Sequence, residues 1–330
     1  MIEIKKNISI PKYKQIINAI EQAIAKGQLK KNDQLPSINS IKDSQKLSRD
    51  TVLMAYNDLR NRGIIQSVVG KGYFVSSEHI NIQQKIFLLF DELNPFKEDL
   101  YNSFLSHLGR HVQVDIFFHH FNEKSFAKLI NDHAGDYNYY VIMPALLKNT
   151  SKAIKTLSKE EVYILDQVHD DLLDYNAIYQ DFEEDILSNL NKAQHLIKKY
   201  KRLILVFNAK KQPEGMRVGF IKFCKQHQIA FDVINYFEAE TLEKSTLYIT
   251  PDDRSLLSII KSSKKQNLKL AKDIGVISYN ETLLKEVVED GITTISTDFN
   301  FMGKRLAEMI LNKEHIQLKN PNNIIIRNSL

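Results

Sequence analysis

Short apolar runs alternate with helical stretches along residues 86–295, and this alternation constrains the fold more than any other feature of the sequence. The runs lie at residues 86–90, 112–118, 139–143, 162–165, 203–207, 231–234, 247–249, 274–278 and 293–295. Helical stretches such as 183–200 and 254–266 separate most of them. Strands that alternate with helices form parallel sheets, so the pattern predicts an α/β fold. Because the segment is too long for one small sheet, we expect two lobes, with a ligand cleft beyond the carboxyl ends of the strands.

The first 76 residues follow a different period, which predicts three helices. Between Pro11 and Gly27, apolar residues recur at three- and four-residue steps and share one helix face: Tyr13, Ile16, Ile17, Ile20 and Ile24. Ser37 is placed to cap a second, short helix, and Ser48 to cap a third that spans residues 49–62. Gly63 supplies the stop after the third helix.

Two short strand-like segments follow at residues 64–68 and 73–75, joined by Val69-Gly70-Lys71-Gly72. Three helices and a hairpin in this order form the winged helix-turn-helix motif. We therefore predict three parts: a winged-helix DNA-binding domain over residues 1–76, a linker over 77–84, and a two-lobed domain for effector binding and dimerisation over 85–330.

The charge distribution agrees with a nucleic-acid partner for the head. Residues 1–80 hold 13 Lys and Arg against 7 Asp and Glu, whereas the remaining residues hold 32 against 33. A basic module on a neutral body favours DNA contact at the head alone. A solvated lysine-rich surface is the alternative, and charge by itself does not decide between them.

The head resembles the GntR family of bacterial transcription regulators. The resemblance lies in five blocks that occur in order: P-x-Y-x-Q-I, I-x-x-G-x-L, L-P-S, S-R-x-T-V-x-x-A-Y-x-x-L and G-x-G-x-F-V. It implies a homodimer that binds a palindromic operator in double-stranded DNA through the third helix and the wing. The residues implied to contact DNA are Ser37, Asn39, Ser48, Arg49, Asp50, Thr51, Gly70, Lys71, Gly72 and Tyr73.

The chemistry of the third helix fits that role. Its N-terminal turn can enter the major groove with free N–H groups facing phosphates. Arg49 suits a phosphate or a guanine edge, and Ser48 and Thr51 suit phosphates. For Ser48 the alternative is a cap alone, and for Thr51 it is packing alone. Asn39 and Leu53 stand where the family, or one branch of it, has arginine, so the resemblance does not define the operator sequence.

Residues 273–312 resemble the end of LacI-type regulators and periplasmic sugar-binding proteins. The shared patterns are D-I-x-V-I-x-[FY]-[DN], T-T-I and M-G-x-x-x-A-x-x-[LI]. The resemblance implies a sugar effector, held by polar groups that bind hydroxyls and an aromatic ring that packs on C–H groups. The residues implied to bind it are Asn94, Phe96, Asp166, Gln167, Arg217, Asp252, Asn280 and Thr297.

Two of these residues depart from the family pattern, and a third has an alternative role. Asn280 stands where these proteins commonly have aspartate, and Arg217 is one residue out of register with their ligand arginine. Asp252 has the alternative role of a helix cap. Within the resemblance, a monosaccharide is the expected effector, with a deoxyhexose such as L-fucose as the specific guess.

Composition and motifs exclude several other classes. No stretch is long and apolar enough for a membrane span, and a single cysteine, Cys224, fits a reducing cytoplasm and a buried structural role. The histidines match no zinc spacing: His119, His120, His133 and His169. We expect no metal, no cofactor and no enzymatic activity.

Two alternatives stay open. One is a GntR-type head on an aminotransferase-like body, which needs a cofactor lysine, and Lys152 and Lys264 are its candidates. The other is a constitutive DNA-binding protein, which leaves the long α/β body without a role.

Overall fold

The computed structural model describes residues 2–5, 10–77, 84–109, 112–237 and 242–330. The chain separates into two compact units. The first comprises Met1–Phe90, Arg110–Ile142 and Asn149–Tyr163, and the second comprises Asp91–Gly109, Met143–Lys148 and Ile164–Leu330. Most of the predicted linker, residues 78–83, lies outside the described residues.

The head has the predicted order of three helices and a hairpin: α1 Lys12–Ala25, α2 Ile38–Gln45, α3 Arg49–Asn61, β1 Ile65–Val68 and β2 Gly72–Val75. The two strands pair antiparallel. Ser37 caps α2 and Ser48 caps α3, and Gly63 follows α3 with a φ of 73°. The apolar face of α1 and four residues of α3 form one core: Val52, Ala55, Tyr56 and Leu59 are all fully buried there.

The first large sheet has the strand order β13-β7-β6-β5-β3-β4. Its strands are β3 Gln84–Phe90, β4 Val112–Phe118, β5 Tyr139–Ile142, β6 Val162–Asp166, β7 Asn176–Tyr179 and β13 Gln317–Lys319. β3 runs parallel to β4 and β5, and β13 runs parallel to β7. The helices that follow its early strands are α4 Pro95–His107, α5 Glu123–Asp132 and α6 Thr150–Ile154.

The second large sheet belongs entirely to the second unit and has the order β14-β12-β11-β10-β8-β9. Its strands are β8 Arg202–Val206, β9 Ala230–Ile234, β10 Thr246–Thr250, β11 Gly275–Tyr279, β12 Thr293–Thr297 and β14 Asn322–Ile325. The remaining helices are α7 Phe182–Lys192, α8 Gln194–Ile197, α9 Glu214–Gln226, α10 Asp253–Lys265, α11 Leu283–Val287 and α12 Phe299–Leu311.

Burial explains why the central strands read as continuous apolar runs. Every residue of β10, β11 and β12 is buried, as expected where helices cover both faces of a parallel sheet. At the edge of the second large sheet, β14 runs antiparallel to its neighbour β12. The predicted α/β fold with two parallel-rich sheets is therefore confirmed.

Two local predictions are wrong. The helix expected over residues 183–200 is interrupted at Ala193, where α7 ends and the short α8 begins. The interruption lets Ala193, Ile197 and Tyr200 all enter one apolar cluster. The short strands β7, β13 and β14 were not predicted at all, because three or four residues carry too little periodicity to identify a strand.

Cys224 is fully buried in α9, and burial raises the pKa of its thiol to about 12, so it is held as an unreactive thiol. Among the described residues, every helix is too short or too polar to cross a bilayer.

Candidate DNA interface and effector site

The N-terminal turn of α3 is both capped and open to solvent. The Ser48 Oγ accepts a hydrogen bond from the Thr51 N–H at 3.2 Å, and the two side-chain oxygens lie 2.7 Å apart. Ser48, Arg49 and Asp50 are exposed, whereas Thr51 is half-buried. The capping role weighed for Ser48 is therefore present, and it leaves Arg49 displayed at the helix end where N–H groups point outward.

The wing is tied to the start of α2. Gly70 and Gly72 adopt φ values of 72° and 102°, so both glycines are needed for the turn. The Gln34 Nε2 donates to the Lys71 carbonyl at 2.6 Å, while the Lys71 side chain is exposed. Because Gln34 lies just before α2, this bond fixes the wing against the helix-turn-helix.

Tyr73 contributes more to packing than its predicted role suggests. Its ring meets Tyr56 edge-on at 4.8 Å between centroids. The Tyr56 hydroxyl donates to the Pro36 carbonyl at 2.6 Å, which joins α3 to the segment before α2. Ser37 and Asn39, at the start of α2, are both exposed. One rigid head thus presents the predicted residues of α2, α3 and the wing.

In the second unit, a buried polar cluster gathers at the carboxyl ends of β6 and β7. Asp166 bonds to the Gln180 amide, and Lys97 forms an ion pair with Asp91. Each of these four residues is less than 9% exposed. Burial raises the pKa of the Asp166 carboxyl, and the nearby Lys97 charge and the Gln180 hydrogen bond partly offset that rise.

A second polar cluster gathers at the carboxyl ends of β10 and β11. The buried Lys285 ammonium donates to the carbonyls of Tyr279 and Asn280, at 2.9 and 2.8 Å, and lies 3.1 Å from an oxygen of Asp253. Burial lowers the pKa of Lys285. Asn280 adopts a φ of 61°, and its Oδ1 is buried without a hydrogen-bond partner among the described residues.

Tyr279 ends β11 in the second large sheet, and burial raises the pKa of its hydroxyl, an effect that the charges of Asp185 and Asp166 reinforce. The hydroxyl accepts a hydrogen bond from the Asn322 Nδ2 at 3.4 Å.

The other predicted effector residues have structural contacts of their own. The Asn94 and Asp252 side chains cap α4 and α10, and the Thr297 hydroxyl donates to the Pro321 carbonyl at 3.3 Å. One face of Phe96 stacks on Phe299 at 4.9 Å between ring centroids, and a hydrogen bond from Gln167 partly offsets the rise in the pKa of Asp166 that burial causes. Arg217, on α9, is bound to Glu214 at 2.8 Å.

Sequence reasoning missed five polar residues of these clusters: Asp91, Lys97, Gln180, Asp253 and Lys285. Lys97 had a usable signal, since it falls on the buried face of α4 in register with Leu100 and Phe104. Gln180 had none, because it follows β7, which was not predicted.

The histidines form no metal centre in the described part of the chain, where no group of three or more His, Cys, Asp or Glu side chains converges. His133 instead packs on Phe117, with ring centroids 4.7 Å apart. His169 bonds the Ala145 carbonyl at 2.7 Å.

Comparison with known proteins identifies both parts of the chain. Residues 12–75 match the model of bacterial regulatory proteins of the gntR family, and residues 193–329 match the periplasmic binding protein-like domain. Both matches agree with the structure, which has a winged-helix head and two parallel-rich sheets. Both matches are at odds with an aminotransferase-like body.

Individual relatives agree. The mannosyl-D-glycerate transport/metabolism system repressor MngR of Escherichia coli is 35% identical over 32% of this chain, which spans only 41% of that relative's length. The arabinose metabolism transcriptional repressor of Geobacillus stearothermophilus is 22% identical, with 93% of this chain and 92% of the relative covered. The trehalose repressor of Escherichia coli shares the fold at a TM-score of 0.63 and 12% identity, over 74% of this chain and all of that structure.

The chain therefore combines a head, residues 12–75, that is similar to gntR-family bacterial regulatory proteins with a region, residues 193–329, that is similar to the periplasmic binding protein-like domain.

Proposed function

We propose that the protein is a ligand-responsive repressor that acts as a homodimer on a palindromic operator in the cytoplasm. The exposed N-terminal turn of α3 carries this proposal, because Ser48 rigidifies it and Arg49 is displayed at its tip. A two-fold dimer of such heads matches two half-sites related by the same symmetry. The relatives described above are named as repressors, which favours repression over activation.

We further propose that the effector is a small polyol, in the first instance a monosaccharide. Two buried acceptors support this: Asn280 Oδ1 and Gln180 Oε1 have no hydrogen-bond partner among the described residues. A buried acceptor without a donor is costly, and a ligand hydroxyl would satisfy it. The Geobacillus relative is named for arabinose metabolism, so L-arabinose joins L-fucose among the first sugars to test.

The DNA half is tested by fluorescence anisotropy with the region upstream of the protein's own gene, at physiological salt and with excess non-specific duplex. We expect saturable binding that Arg49→Ala weakens. Equal affinity for the upstream region and for scrambled DNA of the same composition would contradict the proposal.

The effector half is tested by thermal shift with a panel of pentoses, hexoses and deoxyhexoses. A ligand that binds only the folded state raises its stability in proportion to the logarithm of its concentration. We expect one sugar class to raise Tm in the parent and not in Asn280→Leu, and to change operator affinity. A sugar that binds the parent and Asn280→Leu equally would remove Asn280 from the site.

A further inference from the structure

We propose that the loop between α5 and β5, residues 133–138, is a docking site for the protein's own winged-helix head. In this proposal the contact fixes the orientation in which the head meets DNA. All the residues involved belong to the first compact unit. The docking itself stands on geometry alone, and only its consequence for DNA affinity rests on the proposed function.

The centre of the contact is a glycine that leaves no room for a side chain. Gly135 adopts a φ of 83°, and a Cβ added to it would lie 2.5 Å from the Ile10 Cγ2. Ile10, just before α1, is only 9% exposed. Gly135 therefore permits both the left-handed turn and the close approach of the head.

Each side of this contact is anchored in its own domain. On the head, the buried Gln15 of α1 donates from Nε2 to the Ile10 carbonyl at 2.9 Å. On the body, the Tyr140 hydroxyl of β5 accepts from the Gly135 N–H at 2.7 Å and donates to the His133 carbonyl at 2.9 Å. Because both anchors are side chains of regular elements, a displacement of the loop is passed to α1.

An ion pair at the contact favours one orientation of the head relative to the loop. Lys14, one residue before Gln15 on α1, pairs with Asp136 in the loop. The Lys14 side chain is 16% exposed and that of Asp136 is 39% exposed. Partly exposed pairs of this kind contribute little binding energy, so Lys14 and Asp136 select one orientation of the head more than they hold it in place.

Beside the contact lies a polar pocket of 480 Å³, which α1, the end of α3 and the loop line together. Asp58 and Arg62 line the pocket at the C-terminal end of α3, and the Arg62 Nη1 donates a hydrogen bond to the Asp58 Oδ1 at 3.1 Å. The other end of α3 carries Arg49. Polar and charged side chains therefore make up most of the lining of the pocket beside the contact.

The experiment measures head position directly. Spin labels are placed on Lys30→Cys in the head and Lys128→Cys on α5, both exposed positions, while the natural Cys224 is fully buried. Labelled protein is diluted with unlabelled protein, so that each distance is measured within one chain. We expect one narrow distance distribution in the parent and a broad one in Gly135→Ala.

A matched control separates docking from backbone strain. Gly27 has a φ of 69°, and an added Cβ would meet nothing within 4 Å, so Gly27→Ala imposes similar strain without a clash. It should leave the distribution narrow. Combining Gly135→Ala with Ile10→Ala removes the clash and should narrow the distribution again. Equal broadening in Gly27→Ala and Gly135→Ala would overturn the proposal.

A charge swap keeps the test valid if Gly135→Ala does not fold. Lys14→Glu and Asp136→Lys each place two like charges against one another at the contact, which disfavours docking far more than loss of the ion pair would. Each variant should therefore broaden the distribution, and their combination should restore it. A distribution as narrow as the parent's in both single variants would overturn the docking.

DNA affinity then tests whether docking of the head helps it to bind DNA. An undocked head pays the ordering cost when it binds, so we expect affinity for the operator to fall about three- to tenfold in the undocked variants. Unchanged or higher affinity would refute the orienting role. If the parent binds no specific DNA, the proposed function fails while the spin-label distances still decide whether the head docks.

Discussion

The head and the body prepare their functional groups in opposite ways. In the head, the candidate DNA contacts are exposed and are held by local bonds, as the Ser48 cap holds the turn that carries Arg49. In the body, the candidate effector contacts are buried and depend on partners distant in sequence, as Asp166 depends on Gln180 and Lys97. The difference suits a rigid surface that meets a charged polymer and a desolvated site that encloses a small molecule.

The largest expected effect comes from truncating a side chain at the centre of the head core. Tyr56 is fully buried and supports Tyr73 and Pro36, so Tyr56→Ala should destabilise the head by roughly 3–5 kcal/mol. Calorimetry should then show an early transition for the head and an unshifted one for the second compact unit. Tyr56→Phe, which removes only the hydrogen bond, should cost about 1 kcal/mol. A single transition that moves as a whole would contradict the separation.

The next prediction concerns a substitution that should change DNA binding by the head without changing its stability. Arg49→Ala should weaken specific DNA binding by about 1–3 kcal/mol if Arg49 reads a base edge. Arg60→Ala, at the other end of the same helix and equally exposed, is the control and should change little. Both variants should have the same Tm as the parent. Equal losses of affinity in the two variants would mean that the effect is general charge.

The same division explains what sequence could predict. The three helices, the caps Ser37 and Ser48 and the glycine-tipped wing are all set within a few residues, and all appear in the structure as expected. The central strands were also recognisable, since burial on both faces makes them continuously apolar.

The candidate effector site was only partly predictable, because it is assembled by tertiary packing. Asp166 ends one recognisable strand and Asn280 follows another, but Gln180 follows a four-residue strand and Lys285 lies in a five-residue helix. Arg217 was chosen for its position along the sequence, and its partner in the structure is Glu214. Which polar side chains face one another across strand ends is decided by sheet order, which a single sequence does not reveal.

A pH test probes a buried charge of the body. Asp185 is 3% exposed, and burial raises the pKa of its carboxyl to about 6 despite Lys319 at 3.1 Å. The unfolded carboxyl has a pKa of 3.8, so between these values the folded state binds more protons. Its contribution to stability therefore falls as pH rises from about 4 to 6.

Asp185→Asn should remove that dependence. Relative to the parent, the variant should gain up to about 3 kcal/mol of stability between pH 4 and pH 7, since each unit of difference between the folded and unfolded pKa corresponds to about 1.4 kcal/mol. Urea unfolding at a series of pH values measures the difference. Parallel stability curves for the two proteins would mean that Asp185 titrates normally.

The smallest effects come from two equivalent caps, one in each part. Ser48 caps α3 and Asp252 caps α10, through bonds to Thr51 N–H and Ser255 N–H at 3.2 and 2.8 Å. Replacing either by alanine should cost about 1 kcal/mol of stability. Only Ser48→Ala should also weaken DNA binding, because only that cap orders a turn that we propose to contact DNA. If Asp252→Ala lowered sugar affinity by more than its loss of stability explains, Asp252 would be an effector ligand as well as a cap, and the contrast between local and distant support would hold for the head alone.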